Sequence, residues 1–296
     1  MADHVSVLLE ETVSAWVTDP DGIYLDGTGG YGGHTSLLLK KLGSKAKVFV
    51  CDYHLPTAKL LQSKFAEDDR VTVFHQRFSR VLQEELLEKN FDGILVDLGI
   101  SSPQLAEADL GIGFLLDDAP LDMRIDHRLE KTAADLLQEE SEEDLADMFF
   151  YFGGERYSRK IAAAIVHDRE KGVVYKTTSE LRDLCDRVLG RFYRQKKIHA
   201  ATKVFQALRI AVNQELKELE LFLELAPQHL KPNGHLAVIA FHSGEDRMVK
   251  TKFRDLAMED GFALPKRKAI KPSAEEIDQN PRARSARLRV LERRSL

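Results

Sequence analysis

Three aspartates, each preceded by an apolar run, are the residues best able to do chemistry in this chain. Asp26 follows Ile23–Leu25 and opens on Gly27-Thr28-Gly29-Gly30-Tyr31-Gly32. Asp52 follows Lys47–Cys51. Asp97 follows Ile94–Val96 and runs into Leu98-Gly99-Ile100-Ser101-Ser102-Pro103-Gln104. The glycine loop matches G-x-G-x-x-G between a strand and a helix, with an acid 20 residues beyond Gly32, the context of a dinucleotide-binding turn. An NAD-dependent oxidoreductase is therefore one reading. Asp26 argues for another. A pyrophosphate seeks the positive end of a helix dipole and is repelled by an acid beside it. S-adenosylmethionine has no pyrophosphate but carries a cationic amino group and a sulfonium, which an acid suits. Gly30 and Gly32 would let the backbone approach such a ligand, and Asp52 could accept both ribose hydroxyls. Asp26 can equally be a plain loop or cap acid.

Asp97 is the candidate at the reacting atoms, with Ser101, Ser102 and Gln104 as polar neighbours. Methyl transfer from a sulfonium is an in-line displacement, so alignment of donor and acceptor supplies about 7–11 kcal/mol of the acceleration. An exocyclic base amine is a poor nucleophile because its lone pair is delocalised into the ring. A carboxylate accepting one N–H localises that pair and helps remove the proton. Phe241-His242-Ser243-Gly244-Glu245-Asp246-Arg247 crowds ionisable groups at another strand tip, and His242 is a second catalytic candidate beside Ser102. Its plainer reading is a helix start.

The elements that must position these groups alternate over the first hundred residues. Helices are predicted at 7–16, 35–42, 56–65 and 81–88, between strands at 23–25, 47–51, 71–74 and 94–96, the pattern of βαβ units with a parallel sheet. From Ser101 to His199 the alternation gives way to helices, clearest at Asp135–Phe150 and Tyr157–Arg169. A long helix is expected over Thr202–Leu225, where Val204, Leu208, Val212, Leu216, Leu219 and Leu223 form one stripe. Strands at 235–241 and 286–292 and a helix from Glu245 resume the sheet, with Pro272–Pro281 read as loop. The expected organisation is an α/β core domain of residues 1–104 and 200–296, doubly wound and Rossmann-like, interrupted by a helical domain at 105–199 for substrate recognition.

The chain has 296 residues, 43% of them hydrophobic and 31% charged, and a net charge of −5, which excludes a disordered or fibrous protein. Its N-terminus carries acids and no basic region, unlike a signal peptide. No apolar run is long enough to span a membrane. Cys51 and Cys185 alone make neither a disulfide framework nor a zinc site. A cytoplasmic protein without metal or membrane is expected. The net charge conceals a segregation. Residues 105–186 hold 20 acids against 10 bases, residues 187–209 seven bases and no acid, and residues 262–296 ten bases against four acids. The two basic stretches suit phosphates, although charge runs are often only solvated faces. Candidate RNA contacts are Arg124, Lys203, Arg209, Arg247, Arg282 and Arg284, with both stretches expected to border the acceptor cleft.

Seven ordered stretches carry a whole-chain resemblance: HVSVLLEETV (4–13), GIYLDGTGGYGGHT (22–35), DGILVDLGISSPQL (92–105), PLDMRID (120–126), ATKVFQALRIAVNQEL (201–216), FHSGEDRMVK (241–250) and NPRARSARLRV (280–290). The chain resembles the bacterial ribosomal RNA small subunit methyltransferase H family. The resemblance implies a class I S-adenosylmethionine-dependent methyltransferase fold with an inserted helical domain. It implies methylation of the N4 amine of a cytidine in 16S rRNA, at the decoding centre of the small ribosomal subunit, and leaves a homodimer open. Carried over by position, the cofactor residues are Gly32, Gly33, His34, Asp52, Phe78, Asp97 and Gln104. Without the resemblance, His34 reads as a helix-start residue and Phe78 as a core aromatic. Three places depart from the family pattern: the longer turn Asp52-Tyr53-His54-Leu55-Pro56, Leu110 where the family has arginine, and Gly244 where it has leucine. Asp26, Asp52 and Asp97 are all retained, so activity is expected rather than a non-catalytic assembly role.

Overall fold

A computed structural model describes residues 6–100, 104–105, 107–115 and 118–295. The chain divides into two compact units, Met1–Gly99 with Leu216–Leu296, and Ile100–Glu215.

The first unit is built on one sheet. Its strands are β1 (Ile23–Asp26), β2 (Lys47–Asp52), β3 (Val71–His75), β4 (Phe91–Asp97), β5 (Leu230–Ala240), β6 (Phe262–Ala263) and β7 (Arg287–Arg293). The order is β3-β2-β1-β4-β5-β7-β6. Neighbours pair in parallel from β3 to β5, while β7 is antiparallel to both β5 and β6. This is the class I methyltransferase fold expected from the sequence. Helices α1 (Leu9–Trp16), α2 (Gly33–Lys41), α3 (Leu55–Lys64) and α4 (Phe78–Gln83) alternate with the early strands.

Both faces of the sheet are covered, so its central strands are apolar on both sides rather than alternating with polar residues. Leu95, Ala237 and Ile239 pack with Trp16, Val13, Leu38 and Leu61 on one face. Ile94, Val96, Leu236 and Val238 pack with Phe78, Leu82, Phe222 and Phe253 on the other. The strand period of two thus delivers successive residues to opposite cores.

The second unit is helical, with α5 (Ala133–Glu139), α6 (Glu142–Tyr151), α7 (Ser158–Glu170), α8 (Thr178–Tyr193) and α9 (Thr202–Asn213). Four expectations need correction. The helix predicted over Asp135–Phe150 is two helices, because Glu140 is extended (ψ 151°) and Ser141 caps the second by accepting from the Asp144 amide. The long helix over Thr202–Leu225 breaks at Gln214, a left-handed residue (φ 53°), into α9 and α10 (Glu215–Leu225). Val204 and Leu208 of α9 are buried in the helical unit, whereas Leu219, Phe222 and Leu223 join the sheet's core. One apolar stripe therefore serves two cores. The second unit accordingly runs from Ile100 to Glu215 and takes in α9, rather than spanning 105–199. Finally, the segment read as loop at Pro272–Pro281 contains α12 (Ala274–Gln279), capped by Ser273. It follows α11 (Ser243–Leu256) and β6.

A buried amide fixes the second unit internally. Asn213 is 1% exposed; its Nδ2 donates to Met123 O (2.7 Å) and its Oδ1 accepts from the Ile125 amide (2.9 Å). Between those bonds Met123 adopts a left-handed conformation (φ 63°), which a residue with a long side chain holds only when its surroundings enforce it.

Candidate active site

Asp26 and Asp97 are the last residues of adjacent strands β1 and β4, and Asp52 ends β2 on the other side of β1. The chain order reverses between β1 and β4. Ligands of open α/β sheets sit outside the carboxyl ends of strands at such a reversal. The glycine loop is stitched across these tips. Gly27 N donates to Leu95 O and Gly29 N to Cys51 O, both at 2.8 Å. Gly32 caps α2 with φ 72°, and a Cβ there would fall 2.9 Å from the Phe65 ring. At Gly33 a Cβ would lie 2.0 Å from Ser6 Oγ. Backbone here replaces side chains for want of room.

Each acid is held differently. Asp26 accepts from Thr35 Oγ1 (2.6 Å) and from the Thr28 amide (3.2 Å). Asp52 accepts from the Gly30 amide (3.0 Å) and the His54 amide (2.9 Å). The lengthened turn after Asp52 is thereby ordered: His54 precedes α3, and its Nδ1 lies 2.8 Å from Thr57 Oγ1. Asp97 is anchored through its backbone, its amide donating to Thr28 Oγ1 (2.6 Å). Its side chain is the least satisfied. Oδ1 is buried without a hydrogen-bond partner among the described residues, and Oδ2 lies 3.8 Å from His34 Nδ1.

Burial dominates the electrostatics. It pushes Asp26 and Asp52 up to about 6, against the hydrogen bonds that favour their charged forms. Asp97 is pushed up to about 8, first by burial and then by the charges of Asp26 and Glu245. Among the described residues no lysine or arginine forms an ion pair with any of the three. Crowded, desolvated carboxyls without a counter-charge favour a positively charged ligand. They disfavour a pyrophosphate, so the geometry speaks against a dinucleotide despite the matching glycines.

The other predicted positions fall as follows. His34 opens α2, is 5% exposed, and its Nε2 lies 3.1 Å from Val7 O. Phe78, 6% exposed, meets Phe222 edge-on at 5.0 Å, the setting of a core aromatic. Gln104 is buried and belongs to the helical unit. Ser101 and Ser102 lie outside the described residues.

His242 caps α11. Its Nδ1 accepts from the Gly244 amide (3.2 Å) and the Glu245 amide (3.4 Å), while buried Glu245 reaches back to the His242 amide (3.1 Å). Accepting at Nδ1 leaves the ring proton on Nε2, 3.1 Å from Glu245 Oε1. The plainer reading of this histidine, a helix start, matches the geometry. The leucine-to-glycine departure has a local consequence, because a Cβ on residue 244 would sit 3.1 Å from the capping ring.

Sequence reasoning passed over three residues: Thr28, Thr35 and Glu245. The threonines had a signal, being hydroxyls inside or just after the glycine loop. Glu245 was noticed only as part of a charged cluster, and its influence on Asp97 is a tertiary effect.

Two of the expected RNA contacts are committed elsewhere. Arg124 grips Asp122 through two nitrogens (2.7 and 2.8 Å) and Leu129 O (2.9 Å). Arg209 grips Glu215 through two bonds of 2.8 Å. Lys203 donates to Gly154 O (2.6 Å). Arg247, Arg282 and Arg284 are exposed, with no ion pair among the described residues.

The sequence matches the model of the MraW methylase family over residues 1–294. Ribosomal RNA small subunit methyltransferase H of Acinetobacter baylyi is 44% identical, over 98% of this chain and 99% of that protein. The protein of the same name from Desulfotalea psychrophila is 42% identical over 98% of each chain. Among solved structures, a rRNA methylase from Streptococcus thermophilus aligns over 96% of this chain and 92% of its own, with 10% identity and a TM-score of 0.41.

Proposed function

The chain belongs to the MraW methylase family, and from there we propose that it methylates small-subunit ribosomal RNA with S-adenosylmethionine, at the N4 amine of a 16S rRNA cytidine in the decoding centre. The observation that carries this reading is the set of three acids at the β1/β4 reversal, Asp26 and Asp52 buried and Asp97 partly buried, crowded together without a counter-cation among the described residues.

The residues suit the cofactor on that ground. Asp26 and Asp97 would face its cationic groups, and Asp52, whose oxygens keep further lone pairs, would accept the ribose hydroxyls. Gly30, Gly32 and Gly33 leave the backbone bare for close approach, and Phe78 and Gln104 are the further positions drawn from the family. When bound, the cofactor supplies an activated methyl group on a sulfonium.

Asp97 is the catalytic residue. In the cofactor-free site burial keeps it largely protonated at neutral pH, pushed up to about 8. A positive charge beside it favours the carboxylate. Its Oδ1, without a hydrogen-bond partner among the described residues, then accepts one N–H of the cytosine amine, which turns the nitrogen lone pair out of the ring and gives the departing proton an acceptor. His34 and Thr28 hold Asp97 in place. The target base must leave its stack to reach a strand tip, as single-stranded RNA bases can.

Single-turnover transfer of labelled methyl groups to unmodified small subunits tests this, with mass spectrometry locating the product. The expected product is N4-methylcytidine, and Asp97→Asn should abolish most of its formation. A methyl group on another atom, or a variant as fast as the wild type, overturns the assignment.

A further inference from the structure

The basic stretch 187–209 looks uniform in sequence but sorts into two groups in the structure. Arg187 pairs with Asp168, Arg209 with Glu215, and Lys203 is bonded to a carbonyl. Arg191, Arg194, Lys196 and Lys197 remain exposed, with no carboxylate in ion-pair range among the described residues. They do not stand alone.

Phe192 of α8 stacks on Tyr157 at the start of α7, with centroids 4.0 Å apart and planes 19° from parallel. Arg156, Arg159 and Lys160, also exposed and unpaired among the described residues, flank the stacked Tyr157 in sequence. Rings and cations interleave around the stacked pair. Arg191 lies over Phe192 at 4.5 Å, and Lys196 lies over Tyr157 at 5.6 Å and over Tyr193 at 3.9 Å. An aromatic face fixes a cation in position without neutralising it or using up its N–H donors. An ion pair does the opposite.

Helix electrostatics do not account for this arrangement. Arg191 at the end of α8 complements that helix dipole. Arg159 and Lys160, however, sit in the first turn of α7, where positive charge is unfavourable and no acid is present. Neither 156–160 nor 191–197 contains an acid, and the adjoining carboxyl, Glu155, is fully buried under the Tyr193 hydroxyl. Among the described residues, none of these cations has an ion-pair partner.

We infer that this ridge of the helical unit is an RNA-binding surface, its cations contacting the phosphates of a ribosomal RNA strand. This rests on the proposed ribosomal substrate and adds a surface distinct from the six basic residues named from the sequence. RNA is favoured over an acidic peptide because the cations rest on ring faces with their N–H donors free, and a nucleic-acid strand presents phosphates in a continuous row.

The test is the salt dependence of binding to unmodified small subunits, wild type against a variant carrying Arg191→Ala, Arg194→Ala, Lys196→Ala and Lys197→Ala. Each phosphate that the variant no longer neutralises should lower the slope of log affinity against log salt by about 0.7. Lys196→Arg with Lys197→Arg should keep the slope. S-adenosylmethionine affinity should match the wild type and the variant should still unfold cooperatively, which separates weakened phosphate binding from a damaged fold. An unchanged slope in a variant that still transfers methyl groups overturns the ridge and leaves the proposed function standing. Displacement of the subunit by polyglutamate as readily as by an rRNA fragment overturns it in favour of an acidic protein partner. A wild-type protein that neither binds nor methylates the subunit overturns both.

Discussion

The strand tips of the sheet unit and the arginine grips of the helical unit treat charge in opposite ways, and the contrast separates function from architecture. At the strand tips Asp26 and Asp52 are buried beside the partly buried Asp97, all three raised by desolvation and the last two also by the charge of Asp26, with no cation among the described residues to balance them. In the helical unit Arg124, Arg128, Arg187 and Arg209 each grip a carboxylate at short range. Folding alone favours the second arrangement. The first persists only where something outside the chain completes it. The same criterion, applied with the sign reversed, singles out the Tyr157–Phe192 ridge.

The largest effect should come from Asp97→Asn, which keeps shape and removes the acceptor. Loss of a positioned proton acceptor lowers rates by about 10²–10⁴-fold, to be read in single-turnover methyl transfer while calorimetry shows the cofactor still binding. If the rate holds, the cradle binds a cation but Asp97 does not act in the chemistry. Asp26→Asn should come next, weakening S-adenosylmethionine by roughly 10- to 100-fold, the equivalent of losing a charge-assisted hydrogen bond of about 1.5–3 kcal/mol. Equal affinity in wild type and variant would equate the cradle with ordinary loop acids.

Asn213→Ala probes the other side of the comparison. It leaves Met123 O and the Ile125 amide without their buried partner and should cost about 1–3 kcal/mol in denaturant unfolding. Cofactor affinity should stay as it was. A further effect is on pH dependence. An acid whose folded pKa is raised binds more protons folded than unfolded, so its contribution to stability falls as pH rises through that interval. For Asp97 the interval runs from the ordinary aspartate value of 3.8 to about 8. Melting temperature of the cofactor-free wild type should therefore fall more steeply from pH 5 to pH 8 than that of Asp97→Asn. Saturating cofactor should reduce the difference. Parallel curves would mean that Asp97 is solvated.

Much of the sheet unit is legible in the sequence because its signals are local. Apolar strands end in acids, glycines follow the first, and the strand–helix alternation fixes a parallel sheet. The helical unit is less legible for a physical reason. Periodicity reports that a face is apolar, not which core it meets, so the stripe from Val204 to Leu223 reads as one helix although Gln214 hands it from one core to another. Charge suffers the same ambiguity. Arg209 and Arg191 are equivalent letters in one basic stretch, and only the tertiary placement of Glu215 and Phe192 distinguishes an arginine gripping a carboxylate from one resting on a ring. His242 shows the limit in a single side chain, because a cap and a proton acceptor look alike until the amides around Nδ1 are seen.

The discontinuity of the sheet unit bears on how the protein is made. Chains emerge from the ribosome N-terminus first, so residues 100–215 are all delivered before β5, β6 and β7. During that interval β4 pairs only with β1, and its other edge, apolar on both faces, has no partner strand. An open hydrophobic edge is a template for association with other chains. A nascent chain that has reached Glu215 therefore still presents one unpaired edge of β4, which closes only when Leu230–Ala240 is delivered.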